Sequence, residues 1–230
     1  MNRRLRRRWR ERGVALVTAL SLMLVVLMLG VSAARIALDA GKSARLERDR
    51  QLALQAAEGA LADAERDIAG GAGPSSARAA AFAPGGAAFV HGCGRAGAAL
   101  GLCRITLPAA VPVWQSADIE GDAAVPYGRF TGAVLPTGSA LLPARPPRYI
   151  IERLALATDP AAGEFYRITA IGYGSHEAAR VVLQSIYRKP PAAGSQAALP
   201  DKRISWREIG NWPELHQAAA KRTPDQGSER

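Results

Sequence analysis

Residues Val14 to Ala34 carry no charge and are mostly apolar. In helical form such a run reaches about 30 Å at about 1.5 Å per residue, enough to cross a bilayer's hydrocarbon core. The pattern then changes without a break. Between Arg35 and Ile68, the positions Leu54, Ala57, Leu61, Ala64 and Ile68 recur at alternating spacings of three and four and mark one helical face. Glu58, Asp63, Glu65, Arg66 and Asp67 lie elsewhere around the cylinder, and Arg45 to Arg50 form a solvated, mixed-charge stretch. No proline occurs between Met1 and Ala72, whereas Gly70, Gly71, Gly73 and Pro74 stop a helix. The prediction is one element of about 55 residues, on the order of 80 Å long. Its apolar half covers 14–34 and its amphipathic half covers 35–70. One small domain cannot bury such a helix, so the apolar half needs lipid or neighbouring helices. Gly30 is a soft point, because glycine costs about 1 kcal/mol in a helix interior. It reads equally as a small residue tolerated in a membrane helix.

Beyond the helix, 71–148 is rich in Gly, Ala, Pro and Ser and reads as long loops with a few short elements. Regular alternation returns over 149–189. Tyr149–Ala155, Glu164–Tyr173 and Ala179–Arg188 are strand candidates, with Asp159, Pro160 and Gly163 marking a turn. Tyr166, Ile168 and Ala170 share one face, as do Val181, Leu183 and Ser185. Short connections favour antiparallel pairing. The predicted class is α+β, a long N-terminal helix packed through Leu54, Leu61 and Ile68 on a small antiparallel sheet. The stretch 190–230 is polar and proline-punctuated. It reads either as a disordered tail or as a segment whose Trp206 and Trp212 dock on the sheet or on a partner.

Charge adds a direction. Of the formal +10 over 230 residues, +6 lies before Gly13, where seven arginines face only Glu11. Basic residues flanking an apolar span favour the cytoplasmic side, which places the N-terminus inside. The bias is modest, because Arg35, Lys42, Arg45, Arg48 and Arg50 follow the span. Removing the first dozen residues leaves a charge ordinary for a soluble domain. Aromatics do not alternate with basic residues as a nucleic-acid stacking groove requires, so nucleic acid is not favoured as a partner. Arg145, Arg148, Arg153, Arg167, Arg180 and Arg188 would revive that reading only if they cluster on the sheet.

Cys93 and Cys103 are the only cysteines and sit close in the loop-like middle. A disulfide between them suits an exported domain and would stabilise it by about 2–3 kcal/mol. The alternative is a pair of free thiols. Metal-ligand spacing is lacking, with His91 the only histidine nearby. Ser175-His176-Glu177 contains catalytic residue types, but neighbours in one turn do not make a triad. Neither an enzymatic role nor a cofactor is indicated.

Three stretches carry a family resemblance: Arg12-Gly13-Val14-Ala15-Leu16-Val17, then Asp49 to Glu58 (DRQLALQAAE), then Tyr166–Ala170 with Val181–Arg188. Together they resemble a type IV pilus minor pilin of the PilX type. The first is similar to a class III leader, in which prepilin peptidase cuts after the glycine. The resemblance implies a pilin-like fold, a basic leader over 1–13, cleavage between Gly13 and Val14, and methylation of the new terminus. It implies an inner-membrane protein with a periplasmic C-terminal domain that later enters the pilus. The implied partners are prepilin peptidase, the inner-membrane assembly platform, other minor pilins and the major pilin. One position departs from the pattern. Most pilins carry glutamate at the fifth mature position, which here is Thr18. That absence implies a sparse subunit acting in initiation and assembly, at or near the tip, rather than the main fibre subunit.

Two other readings stay open. The span fits an uncleaved single-pass inner-membrane protein. Val31-Ser32-Ala33 also loosely fits the cleavage rule of a removable secretory signal.

Overall fold

The computed structural model describes residues 3–83, 88–104, 111–138, 141–154, 163–191 and 202–222, with backbone only for 3–13, 202 and 222. Ala155, Asp159 and Pro160 lie outside the described residues. The chain divides into two compact units, Met1–Arg48 and Asp49–Arg230. Helix α1 (Arg3–Ile68) supplies all the described structure of the first.

Within the second unit, α1 ends in a Schellman arrangement. The Gly71 N–H donates to Arg66 O at 2.8 Å and the Gly70 N–H to Asp67 O at 3.1 Å. Gly70 takes φ +99°, the left-handed conformation that stops a helix at little steric cost in glycine. Short elements follow: α2 (Ala77–Ala81), β1 (Val90–His91), a 3₁₀ turn at Gly97–Ala99, β2 (Leu102–Arg104), α3 (Val113–Ser116) and β3 (Val125–Pro126). Next come β4 (Arg148–Leu154), β5 (Glu164–Tyr173), β6 (Arg180–Lys189), β7 (Lys202–Glu208) and α4 (Trp212–Arg222).

The described strands form one seven-stranded sheet in the order β1-β2-β4-β5-β6-β7, with β3 also paired to β4. The strands expected over 149–189 pair antiparallel as the sequence suggests, and the parallel strands β1 and β2, outside that stretch, make the sheet as a whole mixed. β3 to β7 pair antiparallel, whereas β1–β2 and β2–β4 are parallel. The reason lies in the long middle segment. The residues between β2 and β4 are enough for a crossover, which a parallel neighbour requires and a hairpin does not.

Both faces of the sheet are covered. On one, Tyr166, Ile168, Ala170, Val181 and Leu183 join Ala53, Ala57, Ala60, Leu61, Ala64 and Ile68 of α1 in a single core. On the other, Ile150, Ile171 and Val182 meet Trp114 of α3, Ile209, and Trp212 of α4. Alternation alone suggested one buried face. Strands covered on both sides instead show nearly continuous burial, as β5 and β6 do. The polar stretch after Lys189 therefore holds a strand and a helix. Trp212 is buried, while Trp206 stays 45% exposed on β7.

Candidate assembly helix and exported domain

In the first unit, the large apolar side chains from Val14 to Val31 are between 48 and 72% exposed. This is the one described helix long and apolar enough to cross a membrane. Its hydroxyls cost nothing there. Thr18 Oγ1 donates to Ala15 O at 2.9 Å and Ser21 Oγ to Val17 O at 2.9 Å, so each is satisfied within its own helix. Gly13 and Val14 lie on helical backbone. A methyl group at Gly30 would meet no atom within 4 Å. Small size at that position is therefore not required by packing inside the subunit.

In the second unit, Leu61 and Ile68 are fully buried and Leu54 packs partly buried against the same core. The small residues between them set the geometry. Ala53, Ala56, Ala57, Ala60 and Ala64 bring the helix backbone close to the strands. Close approach is tightest at Gly172 of β5, where a Cβ would lie 2.2 Å from Ala53 O and 2.3 Å from Ala57 N.

Asp63 and Asp67 do not point to solvent, contrary to the helical-wheel reading. Both are completely buried. Asp63 accepts from Gly128 N at 2.7 Å and from the Thr131 hydroxyl, and so ties the β3–β4 loop to the helix. Asp67 accepts from Arg78, whose Nη2 stands 2.6 Å from Oδ2, and from Tyr149 Oη at 3.0 Å. The same guanidinium donates to Ala98 O and Leu100 O and lies 3.9 Å from the Phe130 ring centroid. Burial, then the carboxylates Asp67 and Asp63, push the Tyr149 phenol well above its usual range. Tyr149 thus stays a neutral donor. One buried cluster on α1 joins α2, the 3₁₀ turn and β4. A sequence signal existed for it: two acids four residues apart flanking the apolar stripe, and an arginine set among alanines.

At the start of this unit, Asp49 Oδ1 accepts from the Ser175 hydroxyl at 2.7 Å and Arg50 meets Glu208 at 2.8 Å. The first contact clamps the β5–β6 turn and the second clamps β7. Burial alone would raise the Asp49 carboxyl, but hydrogen bonds from Ser175 and the proximity of His176 outweigh it and hold it below the ordinary value. Ser175, His176 and Asp49 are brought together, with Ser175 Oγ 3.1 Å from His176 Nδ1 as well as 2.7 Å from Asp49 Oδ1. The serine proton is directed at Asp49, and the His176 ring is 83% exposed. Glu177 takes no described part.

Cys93 and Cys103 form a disulfide. It joins the loop after β1 to β2, with Cys103 fully buried on the outer face of the sheet. His91 is exposed, whereas His216 stacks on Trp212 and lies 2.8 Å from Gln115 O. Among the described residues no group of three or more His, Cys, Asp or Glu is placed to hold a metal ion. Three of the six arginines, Arg145, Arg148 and Arg180, gather around Tyr173 and Glu120, where Arg148 donates to Gly121 O at 2.7 Å. Arg145 and Arg180 share Glu120, Arg153 pairs with Glu164, and Arg167 stands by Glu152.

An exposed apolar helix of membrane-spanning length, continuing into a stretch packed beneath a sheet, defines the pilin class of α+β proteins. The PilX N-terminal family matches residues 12–62, and the family of type IV pilus assembly protein PilX, C-terminal part, matches residues 64–189. The chain belongs to the PilX family and is a type IV pilus-associated pilin, a structural component that associates with other pilus components. No curated protein and no solved structure matches it. β7 and α4 lie beyond the matched residues.

Proposed function

We propose that this chain is a minor pilin that takes part in initiating and assembling the filament, at or near its tip. The observation carrying this reading is Thr18, whose hydroxyl is consumed by Ala15 O and which offers no charge to a neighbouring subunit. A buried carboxylate is costly unless paired, so its absence removes both that cost and the means of pairing with a subunit amine. Repeated addition along a fibre is then disfavoured, and a place at its start is favoured. The arginines before Gly13 hold the N-terminus in the cytoplasm while the C-terminal domain faces the periplasm. Prepilin peptidase cleaves after Gly13, and the freed Val14 amine is methylated. The apolar helix then passes from the inner membrane through the assembly platform to the other minor pilins and the major pilin. Apolar contact alone gains little in lipid, so shape complementarity and the new amine select the partner.

Shearing tests this reading. Filaments separated from membranes should contain the chain at a small fraction of the major subunit's level, and deleting it should reduce the number of filaments. Stoichiometric abundance along the fibre would overturn the minor, tip-proximal role.

A further inference from the structure

Glu152 lies on the outer face of β4, beneath α3, with its side chain wholly buried. Neither carboxylate oxygen has a hydrogen-bond partner. Among the described residues the charged group beside it is Arg167 of β5, with Nη1 3.6 Å from Oε2, beyond hydrogen-bond reach. From α3, the backbone N–H of Trp114 interacts with it and favours its ionised form. On β2 its register partner is Cys103, which is locked in the disulfide and has no proton to exchange. Farther out, Arg207 of β7 sits 5.8 Å from the Trp114 ring centroid, and His216 of α4 is tied to Gln115 O.

Above this carboxylate, α3 and α4 pack on each other through Trp114 and Trp212, whose ring centroids are 6.2 Å apart. An ionised carboxylate sealed there, with its oxygens short of full hydrogen bonding, works against the cover that seals it. We propose that Glu152 makes the α3–α4 cover of the outer sheet face proton-sensitive: seated while the carboxyl is neutral, loosened once it ionises. Lifting the cover would hydrate Glu152 and uncover Trp114 and Trp212, adding an apolar surface to the domain. This device stands apart from the pilus reading and does not depend on it.

The direction follows from linkage. Burial raises Glu152 from 4.5 to about 7, outweighing the lowering pull of Arg167 and of the Trp114 backbone N–H. The proton is therefore held more tightly with the cover closed. Its contribution to closure is complete below about pH 4.5 and is lost as pH rises through about 7. Between pH 5 and pH 8.5 the opening constant should rise on the order of 100-fold.

Hydrogen exchange on the full chain in detergent tests this. The amide to follow is Ala117, which donates to Val113 O at 2.8 Å. After correction for intrinsic exchange, its opening should rise on the order of 100-fold over that pH range. Glu152→Gln should flatten the profile. Arg167→Gln, which keeps the carboxyl, should move the midpoint upward. A flat profile in the unaltered chain, an undiminished rise in Glu152→Gln, or an unmoved midpoint in Arg167→Gln would each overturn the proposal.

Discussion

Gly172 of β5 touches the backbone of α1 at Ala53: a Cβ on the glycine would lie 2.2 Å from the alanine carbonyl oxygen. Strand and helix are therefore as close as backbone atoms allow. No rotamer change relieves such a clash, because the obstacle is main chain on both sides. Gly172→Ala should destabilise the second unit by about 1–3 kcal/mol, as overpacking does. Gly59→Ala, whose added carbon would meet only Tyr127 at 3.7 Å, is the matched control. Thermal unfolding of the two variants should separate them clearly, and equal stability would remove the close-approach argument.

Arg78 and Asp67 form a buried pair at 2.6 Å. Arg78→Ala strips the carboxylate of its counter-charge and leaves Ala98 O and Leu100 O without their donor. The expected loss is about 3–5 kcal/mol. Replacing both partners by apolar residues should recover much of it. Denaturant unfolding of the single and double variants measures this, and a double variant as damaged as the single would refute the charge argument.

The Cys93–Cys103 disulfide closes a loop with sequence separation 10. Exchanging both cysteines for serine should lower stability by about 2–3 kcal/mol, through freedom returned to the unfolded chain. Reductant should lower the unfolding temperature of the native chain to that of the variant and leave the variant unmoved. A native chain indifferent to reductant would contradict the role.

Gly30→Ala meets no atom and raises helix propensity by about 1 kcal/mol. If assembly draws on local melting at Gly30, the variant should be cleaved and membrane-inserted normally yet be depleted from sheared filaments. Equal incorporation would show that the glycine is only a tolerated small residue.

How far the sequence carried depends on the range of the interaction that decides each feature. The helix and the β5–β6 strands were legible because their signals are local: an uncharged run, a three-four spacing, a two-residue alternation. Leu61 and Ile68 stand out by spacing alone. Asp63 and Asp67 do not, because what makes them interior residues is remote. Tyr149 lies 82 positions from Asp67, and Thr131 lies 68 from Asp63. Periodicity counts an acid as polar whether or not a partner awaits it. The parallel pairing of β1 and β2 was hidden for a related reason, since strands of two or three residues carry no readable alternation. The segment after Lys189 was ambiguous because its prolines suggest disorder. Pro213 in fact sits in the first turn of α4, where the missing N–H leaves no hydrogen bond unmade.

The most direct test of the whole account is the N-terminal residue of this chain recovered from sheared filaments. The account predicts a chain that begins at Val14 and is present in the fibre fraction. A chain confined to the membrane and beginning at Met1, or one released to the periplasm beginning at Ala34, would contradict it.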